Sequence, residues 1–138
     1  MNFTRFAAPL ALAFGLSAPA FAGTTIYECT VATGTESGWI SSPVIIAHVD
    51  GADEATAVDP VIQSVIGKPL TAKLKAENDA KITFGWSVKT QDKEGQNGTM
   101  SYRAIILKGS NAFVLSATPL GYANTFRGDG KCKVSRKG

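Results

Sequence analysis

The sequence predicts an all-β domain: a meander of about eight short antiparallel strands, closed into a small barrel in preference to a sandwich. Three observations carry this. Apolar and polar residues alternate with a period of two, and no window keeps a helical period for more than about two turns. Gly, Asn, Asp and Pro clusters punctuate the runs at distances that suit connections between antiparallel neighbours. Cys29 and Cys132 lie in the first and last of these runs, so a disulfide between them would staple the sheet into a closed barrel without exposed edges.

The first strand is expected at 25–33, around Cys29, and the second at 40–49. A third at 55–62 runs into the segment 59–68, where Val61, Ile62, Val65 and Ile66 fall at helical spacing. Pro60 suits a first turn and Gly67 an exit, so this segment reads equally as one amphipathic turn capping a barrel mouth. In the fourth strand, 70–77, Leu70, Ala72, Leu74 and Ala76 oppose Thr71, Lys73, Lys75 and Glu77. Glu77-Asn78-Asp79 turns it into the fifth, 81–90, where Ile82, Phe84, Trp86 and Val88 form the clearest apolar face of the chain. A polar loop at 91–98 precedes a strand at 99–108, and a tight Lys108-Gly109-Ser110-Asn111 hairpin leads to one at 112–118. The last strand, 124–134, carries Cys132. Within it Arg127-Gly128-Asp129-Gly130-Lys131 reads as bulged or tightly turned backbone, its glycines permitting positive φ.

Residues 1–22 read as a cleaved secretory signal peptide. Arg5 supplies the early positive charge, 6–16 an apolar run, and Ala20-Phe21-Ala22 a small-x-small cleavage signal before Gly23. The apolar run, broken by Pro9 and Gly15, is too short to span about 30 Å of hydrocarbon. What remains, 23–138, is one domain with no transmembrane segment and no lipid-attachment cysteine at its start, expected in the periplasm or outside the cell as a monomer. Thiols oxidise there, and the chain-entropy model gives a Cys29–Cys132 loop about 4.7 kcal/mol of stabilisation.

Charge is polarised along the chain. Between 23 and 67 there are six acids (Glu28, Glu36, Asp50, Asp53, Glu54, Asp59) and no Lys or Arg, whereas 68–138 holds thirteen bases and five acids. A meander turns sequence neighbours into spatial neighbours, so an acidic sector should meet a basic one across the closing seam, or else present a charged docking surface. The basic run over 131–137 reads as a flexible tail.

No constellation for catalysis is legible. His48 is the only histidine, no Gly-x-Ser-x-Gly turn exists, and the neighbouring carboxylates Asp53 with Glu54 and Asp92 with Glu94 fall in loops open to solvent. Two cysteines and one histidine fall short of a zinc site, and Asp50, Asp53, Glu54 and Asp59 lack the ligand spacing of a calcium loop. No cofactor motif is present, and no helix follows the glycines at 128–130 to make a phosphate loop. Asn97-Gly98-Thr99 has the form of a glycosylation sequon and Arg127-Gly128-Asp129 that of an adhesion tripeptide. Nucleic acid is a poor partner, because Tyr27, Trp39, Phe84, Trp86, Tyr102, Phe113, Tyr122 and Phe126 fall mostly at core positions. A satisfied structural His48 and a non-enzymatic binding protein are the expectation.

Tyr27-Glu28-Cys29-Thr30-Val31, Gly38-Trp39-Ile40, Asp59-Pro60-Val61-Ile62-Gln63 and the run from Gly121 to Val134 resemble a group of small uncharacterised exported proteins of alphaproteobacteria. That resemblance implies a compartment and an architecture. The Tyr-x-Cys strand at Tyr27-Glu28-Cys29, with Cys132 bonded back to it, is also similar to the framing of periplasmic inhibitors of C-type lysozyme. Gly98-Thr99-Met100-Ser101-Tyr102 echoes the Ser-Gly-x-x-Tyr loop of those inhibitors but departs from it, and this chain is longer between its cysteines. The likeness implies Asn97, Gly98 and Tyr102 as an interaction loop. Two functions are thus open: a lipocalin-like barrel binding a small molecule or an envelope protein, and an inhibitor of a cell-wall lytic enzyme.

Overall fold

A computed structural model of the chain describes residues 23–34, 37–91 and 93–138. The expected leader, 1–22, and Asp92 lie outside the described residues. Among those described, eight strands close a barrel in chain order. They are β1 (Thr24–Gly34), β2 (Val44–Val49), β3 (Glu54–Val58), β4 (Leu70–Glu77), β5 (Lys81–Gln91), β6 (Asn97–Leu107), β7 (Ala112–Pro119) and β8 (Phe126–Lys137). Each pairs antiparallel with the next, and β8 returns to β1 with Thr24 opposite Lys137 and Gly34 opposite Gly128. The disulfide joins Cys29 to Cys132, directly opposite across this closing pair and 103 positions apart in sequence.

Three boundaries differ from expectation by more than two residues. β2 starts at Val44, directly after Pro43, which has no N–H to offer a ladder. The third strand stops at Val58 and does not run on to residue 62. Asp59 is extended (φ −156°, ψ 176°) and accepts a hydrogen bond from Ile62 N at 2.7 Å, so it caps a short helix, α1 (Pro60–Val65), that Pro60 starts. The amphipathic turn is therefore formed, and it buries Val61 and Ile62. Finally, 131–137 is strand rather than flexible tail, because β1 supplies a pairing partner for each residue as far as Lys137.

The interior is solid. Phe84, Phe113, Tyr102, Ile46, Ile82, Ile106 and Leu115 point inward and are buried, Trp86 nearly so. Register sets large against small: Phe84 opposite Ala104, Tyr102 opposite Ala117, Ile46 opposite Ala57. That alternation lets eight strands fill their own lumen.

Two irregularities shape the wall. Where β1 slips register between Val31 and Thr33, the inward positions of β8 are Gly128 and Gly130. A Cβ on Gly130 would run into the Thr30 carbonyl, and one on Gly128 would come within 2.6 Å of Ile40 Cγ2. Their φ angles are not positive, so close approach rather than a special backbone conformation calls for glycine here. In β4 the register shifts between Leu74 and Ala76, making Lys75 the extra residue of a bulge. Period-two alternation put Glu77 outside; the bulge sets it opposite inward-facing Ile82 instead.

Candidate functional site

With the lumen filled, the concave surfaces lie at the ends and on the wall. One end gathers α1 and the connections β1–β2, β5–β6 and β7–β8. Trp39, in the β1–β2 connection, stands between two concavities there. The first, about 450 Å³, is bounded by Trp39, Ser41 and the α1 residues Pro60, Val61, Ser64 and Val65. The second, about 330 Å³, lies among Trp39, Gly98 and Thr99 of β6 and Leu120, Tyr122 and Phe126.

Trp39 is held from below. Tyr102 donates its hydroxyl to the Trp39 carbonyl at 2.8 Å, and its ring stacks on Trp86 with centroids 5.6 Å apart and planes 8° from parallel. Burial pushes the Tyr102 hydroxyl far above the ordinary tyrosine range, so it remains a donor. Around this seat the apolar side chains face solvent: Tyr122 is 71% exposed and Leu120 59%, with Val65 and Ile66 also open. Three buried polar atoms have no hydrogen-bond partner among the described residues: Ser41 Oγ beside the first concavity, Asp59 Oδ2 at the start of α1, and Trp86 Nε1 one layer deeper.

The three residues of the expected interaction loop separate. Asn97 opens β6 opposite Gln91, whose amide donates to it at 3.4 Å. Gly98 forms part of the second concavity, and Tyr102 is buried beneath it. The sequence places the aromatics mostly at core positions; Tyr122 departs from that pattern and is the most exposed of the large apolar residues. The legible signal was local, since Pro119-Leu120-Gly121-Tyr122 is turn chemistry and Gly121 takes φ 91°.

The opposite mouth holds a polar concavity of about 360 Å³. Arg136 grips Asp50 through two bonds, 2.6 and 3.1 Å, and donates to Thr25 Oγ1 at 2.7 Å; Lys108 meets Glu77 at 2.8 Å. Tyr27 lies among these charges, and its pKa is raised, first by burial and then by Glu77. His48 is 3% exposed, sits edge-on to Phe84, and its Nε2 donates to the Ala52 carbonyl at 2.8 Å. That bond secures the β2–β3 turn and spends the ring nitrogen nearest to it.

Asp50–Arg136 also joins the acidic sector to the basic one at the closing seam, where Glu28 stands opposite Lys133. Glu54 opposite Lys73 does the same at the β3–β4 boundary. Asp50 and Asp59 occupy opposite ends of the barrel, so the four acids weighed as calcium ligands do not converge. Among the described residues no group of three or more His, Cys, Asp or Glu side chains is arranged to hold a metal. Arg127 and Asp129 pair with each other on the outer face of β8, within a strand rather than at a loop tip. No helix among the described residues is long and apolar enough to cross a membrane. Comparison with family models, curated proteins and solved structures gives no match.

Proposed function

We propose that this chain is an exported, non-catalytic β-barrel that binds a protein of the cell envelope through the end built around Trp39. The observation that carries the reading is the exposure of Leu120, Tyr122 and Val65 along two concavities, on a barrel whose interior is crowded with large side chains. Exposed apolar side chains rimming concave surface are the usual mark of a contact site, and Tyr and Trp are the side chains that anchor such contacts most often. Phe84, Tyr102, Phe113 and the buried aliphatic side chains crowd the barrel interior, which favours a contact at its end over a small apolar ligand inside. The His48 Nε2 is engaged by a backbone carbonyl and the mouth carboxylates Asp50 and Glu77 by cations, which supports a structural role for these groups. The cross-strand disulfide suits an oxidising compartment, periplasmic or extracellular.

A second reading, inhibition of a cell-wall lytic enzyme, draws on the position of Gly98 in the Tyr122 concavity. Both are tested by placing a photo-crosslinking residue at 122, with one at Ser116 on the outer wall as control, in cells that make the oxidised protein. A stoichiometric protein adduct at 122 alone is expected. Equal labelling at both positions, or a small molecule carried in native mass spectra without any protein adduct, would overturn the reading. If the adduct is a muramidase, loss of its activity on addition of the barrel selects the inhibitor.

A further inference from the structure

The polar mouth, opposite the Trp39 end, holds a residue that simple alternation would have turned outward. The β4 bulge at Lys75 sets Glu77 opposite inward-facing Ile82, and its carboxylate meets Lys108 at the rim. Bulges re-aim side chains and are over-represented beside binding and active sites. On the facing strands Arg136, Thr25 and His48 stand opposite one another across β8, β1 and β2, with Asp50 two positions after His48. Two ion pairs thus flank a concavity of about 360 Å³, near the lower end of the roughly 300–1,000 Å³ that small-molecule sites occupy.

The two pairs differ in what they have left to give. Arg136 bonds both Asp50 oxygens and Thr25 Oγ1, so that pair is a closed wall. Lys108 and Glu77 brace the mouth through one hydrogen bond only. That leaves two ammonium N–H groups and Glu77 Oε1 without a partner among the described residues. Tyr27 stands between the pairs. It is 8% exposed and lines the concavity, yet its hydroxyl makes no hydrogen bond among the described residues. All four charges act on that hydroxyl, and burial keeps it protonated and able to donate. Asn111 adds an amide. Its backbone N–H goes to the Leu107 carbonyl and its carbonyl accepts from Cys132 N, while its side chain lines the mouth unbonded among the described residues.

The charges at the mouth balance, Asp50 and Glu77 against Lys108 and Arg136. A lone anion would gain from the cations and lose to the acids, whereas a molecule carrying both signs finds a partner for each. We propose that this mouth binds a small zwitterion whose ammonium and carboxylate are neighbours, the head group of an α-amino acid. The carboxylate takes the spare N–H groups of Lys108 and the ammonium takes Glu77 Oε1, closing a ring of four alternating charges. Tyr27 and Asn111 supply neutral hydrogen bonds, and Ile106 and Val134 offer apolar surface to an aliphatic side chain. The site lies at the other end from Trp39 and stands or falls without the envelope-partner reading.

The test titrates the folded, oxidised protein with free leucine, read by amide chemical shifts. N-acetyl-leucine keeps only the negative charge of this probe, and leucine amide only the positive one. Shifts at Tyr27, Glu77 and 108–111 are expected with leucine. Binding of either one-charge analogue should be about tenfold weaker, the loss typical of a charged hydrogen bond. Glu77→Gln should weaken leucine by the same factor and Tyr27→Phe by about fivefold, whereas Glu28→Gln, exposed on β1, should leave the affinity unchanged. The analogue series needs no variant, so it decides even where a substitution perturbs the fold. Silence at the mouth, equal binding of the one-charge analogues, or equal weakening by Glu28→Gln overturns the proposal.

Discussion

Asp59 caps α1 through Oδ1 while its Oδ2 is buried without a partner among the described residues. Burial raises its pKa above the ordinary 3.8, against the pull of the Ile62 and Val61 backbone N–H groups. An acid with a raised native pKa holds its proton longer when folded, so its share of stability is full below 3.8 and falls as pH climbs through the native value. Asp59→Asn keeps an acceptor for Ile62 and removes the charge. Its advantage over the parent in urea denaturation should therefore widen as pH rises through the mildly acidic range; a constant difference would refute the burial argument. Tyr102→Phe removes the bond that holds the Trp39 carbonyl and should cost about 1 kcal/mol. Amide exchange in the Trp39 connection should quicken, while the barrel strands stay protected. Strand parity made the burial of Tyr102 readable in advance. The exposure of Tyr122 was signalled only by the turn chemistry around Gly121, because a loop residue has no parity and its environment depends on the path the β7–β8 connection takes.

At the level of elements, the strands whose two faces differ most were the most legible. Ile82, Phe84, Trp86 and Val88 are all buried as their alternation demands. The β4 pattern held through Leu74 and then failed, because a bulge changes parity without leaving a mark in composition. Glu77 is the residue this moved, and with it one of the two ion pairs at the polar mouth. The segment after β3 carried two periods at once, and Asp59 with Pro60 decided between them by capping and starting a helix. Glycine at 130 was read as a backbone choice when it is a matter of clearance. Gly130→Ala should destabilise the barrel by about 2 kcal/mol through overpacking at the β1–β8 pair, measured by urea denaturation; a change near zero would show that the strands can separate locally without loss.

For the whole molecule, closure in chain order was legible because the connections are short and the cysteines sit in the terminal strands. What the filled lumen leaves to the ends was not, since side-chain volumes decide it only once register is known. Cys29→Ala with Cys132→Ala should lower stability by up to about 4.7 kcal/mol, and the slope of urea denaturation should rise, because the unfolded chain exposes more surface without its crosslink; an unchanged slope and midpoint would show that the crosslink does not restrain the unfolded chain. Thr24 lies opposite Lys137. The strand order is thus a ring whose starting point is arbitrary, and a linker from 137 back to 24 with new termini in the turn near Gly109 should leave the barrel intact. In that permuted chain Cys29 and Cys132 would be hairpin neighbours. Their bond would then close a loop of turn-like length and contribute only about 3 kcal/mol, which turns the stabilisation by this disulfide from a property of two sulfurs into one of where the chain happens to be cut.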